Sequence, residues 1–123
     1  MKDQSLGLYK AFVDDLVERS PGPYARWIME KGWPETEENA RVNKVLQELT
    51  LEQKEVFALI AQSSRDGGIH DVLVYLSEQI NLNGMDISFG GVAMAKEPFD
   101  TELYYDWVCR REGDVWPDPE SAG

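Results

Sequence analysis

The sequence predicts an α+β fold, predominantly helical with five to six helices and one β-hairpin near residues 85–96 that packs as a single layer on the helices. Three observations carry that expectation. Apolar residues recur at helical spacing over most of the 123 residues. Between Met85 and Met94 the recurrence changes to alternation, and Gly90-Gly91 stands where the alternating stretch must reverse.

The elements follow in chain order. Leu8-Tyr9, Phe12-Val13 and Leu16-Val17 repeat every four residues and draw one apolar stripe on a first helix, 5–19. Ser20-Pro21-Gly22-Pro23 ends it, because proline lacks an N–H and restricts the residue before it. Pro23 suits the first turn of a short helix from Tyr24 to Lys31, closed by Gly32 and followed by Trp33-Pro34. Thr36 before Glu37 and Glu38 reads as an N-cap for a helix carrying Val42, Val45, Leu46 and Leu49. Thr50 and Gln53 form a capping box for the next, with Leu51, Val56, Phe57, Leu59 and Ile60. Asp66-Gly67-Gly68 reads as a tight helix–helix turn. Asp66 then caps a helix whose Ile69, Val72, Leu73, Leu76 and Ile80 share a face up to Asn83-Gly84. In the hairpin, a two-residue Gly-Gly turn pairs Phe89 with Val92 and Ile87 with Met94 on one side. Asp100 or Thr101 caps a last helix to about Glu112, with Leu103, Tyr104, Trp107 and Val108 inward, and Gly113 ends it.

Residues 1–116 are long enough for one globular domain with its own core, and 117–123 read as a disordered tail. The opening MKDQSLGLYK has no signal-type apolar region and later apolar runs are broken by charge, so neither secretion nor a membrane is expected. Cys109 is the only cysteine, which excludes an internal disulfide and suits a reducing cytoplasm. Twelve Lys+Arg against 23 Asp+Glu give −11. That field disfavours nucleic acid and anionic lipid and favours a basic partner, although solubility alone also selects acidic chains.

Several side chains invite chemistry. His70, the one histidine, lies at the edge of the apolar face of its helix, with Asp66 four residues earlier, placed to orient an imidazole base. Nothing adjacent supplies a nucleophile, so no catalytic residue is assigned beyond His70 and Asp66 as candidates. Gly67-Gly68 lack the preceding strand and the lysine of a phosphate loop. The acids Glu35, Glu37 and Glu38 diverge on a helix, and no metal motif is present, so neither metal nor cofactor is expected. Cys109, beside Arg110 and Arg111, is expected to pack under the tail at Trp116. Trp33-Pro34 and Trp116-Pro117 each follow a helix end and each precede acids. Each indole is either a core plug or part of an acid-rimmed aromatic surface for a basic peptide or protein.

The run TELYYDWVCRREGDVWPDP, 101–119, with GGIHDVLVYL, resembles the small uncharacterised bacterial proteins grouped as domains of unknown function. The resemblance implies a bacterial source and a stand-alone small domain, and it carries over no site residue. The expectation is a non-enzymatic interaction domain, antidote-like or regulatory, that meets a basic partner through Trp33 or Trp116. The alternative is a small enzyme or ligand-binding domain centred on His70 and Asp66.

Overall fold

A computed structural model describes residues 2–117. The described residues gather into two compact units, one drawn from Met1–Arg19 and Ile69–Gly123, the other from Ser20–Gly68. Of the tail expected from residue 117, all but Pro117 lies outside the described residues.

The fold is mostly helical with one hairpin, as the periodicity predicts. It has fewer helices than the six separate stretches marked above, because two of them are one. Helix α1 spans Lys2–Glu18, α2 Pro23–Met29, α3 Ala40–Glu48, α4 Leu51–Asn83 and α5 Leu103–Arg111; strands β1, Ser88–Phe89, and β2, Val92–Ala93, precede α5. The predicted turn at Asp66-Gly67-Gly68 does not form, since α4 runs through it for 33 residues. Each helix glycine costs about 1 kcal/mol relative to alanine, a penalty that a cooperative 33-residue ladder of hydrogen bonds absorbs. Asp66 is therefore no N-cap; it sits inside the helix and accepts a hydrogen bond from Gln62 Nε2 at 3.0 Å.

In the first unit, the α1 stripe buries Tyr9 and Val13 against Leu73 of α4, Met94, Phe99, and Leu103 and Trp107 of α5. The hairpin has the predicted register. Phe89 pairs with Val92 and Ser88 with Ala93, Met94 N–H donates to Ile87 O at 2.7 Å, and Gly90 and Gly91 take φ of +56° and +83°. Such a primed turn matches the strands' twist, and only glycine enters it without strain. The expected cover is present: Met94 lies in the core and Ile87 packs half-buried against it. Ala95 N–H then donates to Ser5 O at 3.1 Å, tying the end of the hairpin to α1. Two local expectations need correction. Val72 is exposed rather than sharing the buried face of Leu73 and Ile80. The N-cap of α5 is Glu102, not Asp100 or Thr101, because the Thr101 hydroxyl is drawn to Asp106 instead.

In the second unit, the Thr50/Gln53 capping box forms reciprocally, at 2.9 and 3.1 Å. Thr36 begins a 3-10 turn, Glu37–Asn39, ahead of α3. Gln62 and Arg65 of α4 donate to Ser20 O at 2.7 and 3.0 Å, which pins the Ser20-Pro21-Gly22 break. A Cβ at Gly22 would lie 2.5 Å from Arg65 Cδ, so a larger residue there would have to displace the Arg65 side chain. The side of α4 facing that break thus carries Ala58, Ala61, Gln62 and Arg65, whereas Val56, Phe57, Leu59 and Ile60 are exposed.

Candidate functional site

The helical positions Leu103, Asp106, Trp107 and Arg110 recur at i, i+3, i+4 and i+7, so α5 turns one acid and one guanidinium toward the same side as its core residues. Asp106 is buried. Its Oδ1 accepts the Thr101 hydroxyl at 2.5 Å, and its Oδ2 accepts a short hydrogen bond from Tyr9 of α1. Burial raises the Asp106 carboxyl above the ordinary range, with Glu102 and Glu97 adding to the rise, and the bonds from Thr101 and Tyr9 only partly offset it. The Tyr9 phenol is driven well up, first by burial and then by its bond to Asp106.

This carboxylate shares the lining of a cavity of about 190 Å³ with the aromatic rings of Phe99, Tyr105 and Trp116 and with the polar side chains of Thr101, Cys109, Arg110 and Asp114. Trp116 is half-buried and held by several partners. It stacks on Phe99 at 5.5 Å between centroids, meets Tyr9 at 6.0 Å, and carries the Arg110 guanidinium 4.9 Å from its ring centre. Its Nε1–H donates to Asp14 Oδ2 at 3.2 Å. Arg110 grips the same carboxylate in a bidentate pair, Nε to Oδ1 at 2.8 Å and Nη2 to Oδ2 at 3.2 Å, and reaches Asp114 O at 3.0 Å. Partial burial acts to raise the Asp14 carboxyl, but the bonds from Arg110 and Trp116 outweigh it and hold it below the usual range. Cys109 is half-buried and lines the same cavity as Trp116. The neighbouring Cys109, one helical turn on, raises the Tyr105 phenol.

Chemically, the cavity is a small aromatic cleft with a buried carboxylate in its lining. Arg110 is matched by Asp14, which leaves Asp106 and Asp114 to set the sign of the lining charge. A volume near 190 Å³ is below that of drug-sized ligand pockets, about 300–1,000 Å³, and suits one side chain or a small cation.

The other sequence candidates fall elsewhere. Trp33 belongs to the second unit, half-buried in a cluster with Tyr24 at 5.0 Å and Trp27 at 5.4 Å. Asn43 fixes its backbone by accepting from Trp33 N–H at 2.8 Å and donating to Trp33 O at 3.0 Å. A neighbouring cavity of about 380 Å³ is rimmed by Lys31, Lys44, Lys54, Glu30 and Glu35, charges that nearly balance. His70 is half-buried and meets Tyr104 edge-on at 5.3 Å, while Asp66 is engaged by Gln62. Among the described residues, no group of three or more His, Cys, Asp or Glu side chains is placed to hold a metal ion. No described helix is long and apolar enough to cross a membrane.

Replacing His70 by alanine should cost about 1 kcal/mol or less, the value of one edge-to-face contact at a half-buried position. Urea midpoints of the two proteins measure it, and a loss of several kcal/mol would mean a larger role for this ring.

Trp116 and Cys109 stand out in the sequence, whereas Tyr9, Asp14, Thr101 and Asp106, which hold the site by hydrogen bonds, do not. The available signal was an acid at an inward position of α5. No curated protein and no solved structure matches the chain. A family model does match over residues 2–118, nearly the whole sequence: the chain belongs to the family of unknown function DUF6547.

Proposed function

We propose that the protein is a non-enzymatic interaction domain, antidote-like or regulatory, that works in the cytoplasm and receives a basic side chain of a partner in the cleft at Trp116. The observation that carries this reading is the buried Asp106 carboxylate in a cavity lining shared with Phe99, Tyr105 and Trp116. Aromatic faces and a carboxylate both attract a cation, and the attraction grows where water is excluded. The net charge of −11 adds a long-range field that steers a basic partner inward and repels polyanions. Affinity comes from the aromatic cleft, and association rate from the distributed acids.

The test uses a nonapeptide of arginine and lysine as a defined probe, titrated into the full chain by calorimetry. Asp106→Asn keeps the shape of the site and removes its charge. It should weaken binding about tenfold or more, since a charge-assisted contact contributes about 1.5–3 kcal/mol. Glu38→Gln, which changes the total charge equally at an exposed position, should alter binding less than twofold. Trp116→Phe should speed dissociation, and added salt should slow association without abolishing the difference between the two acid variants. Because burial raises Asp106, binding should also tighten as pH rises from 5 to 8. Equal losses for Asp106→Asn and Glu38→Gln would show attraction by net charge alone and remove the cleft from the proposal.

A further inference from the structure

We infer that the exposed face of α4 within the second unit is a self-association surface, and that its occupant is the same helix of a second copy, crossing antiparallel. At about 100° per residue, Val56, Leu59, Ile60, Ser63 and Gly67 share one arc of the helix, and Phe57 borders it. The opposite arc is already committed, since Gln62 and Arg65 bond Ser20 O there. The large apolar side chains therefore point away from their own unit: Leu59 is 68% exposed and Ile60 53%.

Three features favour a second copy. Residues 56–64 carry no charge, so the centre of the contact sets no like charges of two −11 chains against each other, with Glu52 on the same arc at its edge. The face is also graded, large at Val56, Leu59 and Ile60 and small at Ser63 and Gly67. Antiparallel crossing about a two-fold axis beside Ala61 sets Ile60 of each copy against Ser63 of the other, and Val56 against Gly67. Such a surface complements itself, as an isologous dimer requires. The glycines supply the third argument. Gly67 and Gly68 are poor helix formers in mid-helix, neither takes positive φ, and a Cβ at either would meet nothing among the described residues within 4 Å. Their own chain gives them no packing reason, whereas close approach of another helix does.

The area agrees. Val56, Phe57, Leu59 and Ile60 expose on the order of 400 Å² together, taking large side chains at roughly 150–200 Å² each. An interface about 60% apolar then buries about 1,300 Å² in total, at the low end of stable dimers.

Sedimentation equilibrium of the full chain at 1–100 µM tests the inference. The expected result is a mass twice 14.0 kDa at the upper end of that range. Leu59→Glu should weaken association at least about 100-fold with helicity by circular dichroism unchanged, because the two-fold axis introduces the charge twice. Gly67→Leu has open space in the single chain but clashes at the crossing. It should leave or raise the unfolding midpoint at dilute concentration and weaken association about tenfold. A wild-type chain monomeric at 100 µM overturns the inference, as does a dimer that neither substitution weakens.

Discussion

Trp107→Ala is expected to destabilise the protein by about 3–5 kcal/mol, the range for large aromatic truncations in a core. Trp107 is 0% exposed and sits among Tyr9, Val13, Leu73, Phe99 and Leu103, so its removal opens a cavity where α1, α4 and α5 contribute to the first unit. With total stabilities of about 5–15 kcal/mol, that loss approaches unfolding. The ring is held by shape and apolar contact. Its Nε1 has no acceptor among the described residues, and the Arg111 guanidinium lies 4.6 Å from the ring centre. Trp107→Phe should consequently cost only about 1–2 kcal/mol, since it deletes an unsatisfied N–H together with part of the volume. Urea titrations followed by near-ultraviolet dichroism give both values. A loss below about 1 kcal/mol for Trp107→Ala would show that the cluster is not the core.

The parts of this fold that were legible in the sequence are those decided by neighbours a few residues apart. The α1 stripe, the Thr50/Gln53 box and the Gly90-Gly91 register depend on spacing alone, and all three form. Gly67-Gly68 misled for a related reason: the pair has turn chemistry, but propensity is a weak term against continuation of a long helix. Thr101 has the local chemistry of a cap, while its actual acceptor, Asp106 of α5, is itself fixed by Tyr9, 97 residues away. No local pattern encodes such a partner. The same limit hid most of the cleft: Trp116 stood out by type, but the Asp14 that clamps it is 102 residues distant. The apolar spacing of 56–60 was legible, but its direction was not, since periodicity finds a face without saying what covers it.

Asp106→Ala should cost about 3 kcal/mol at neutral pH, because it leaves the Tyr9 and Thr101 hydroxyls without their acceptor at a buried site. Tyr9→Phe removes a single donor and should cost about 1.5–2 kcal/mol. The pH dependence separates the acid's charge from its packing. The native state raises the Asp106 carboxyl, so it binds that proton more tightly than the unfolded chain does. This contribution is complete below the ordinary carboxylate range and is lost as pH rises through the native value. Asp14 has the opposite sign: its native carboxyl is lowered, so its contribution is present at neutral pH and is lost as pH falls through the native value. A wild-type acid titration mixes the two. Subtracting the Asp106→Asn protein removes Asp14, whose surroundings the substitution leaves in place. The difference, wild type minus variant, should increase as pH falls from about 6 to about 4, the interval above the ordinary carboxylate values. On the alkaline side the raised Tyr9 phenol predicts a loss of stability as pH climbs past about 10, and Tyr9→Phe should blunt that loss. Urea midpoints across this series measure both limbs. An acid-side difference that shrinks as pH falls would mean that Asp106 gains more from its two donors than burial takes away, and that its charge is at home in the cleft without a cation.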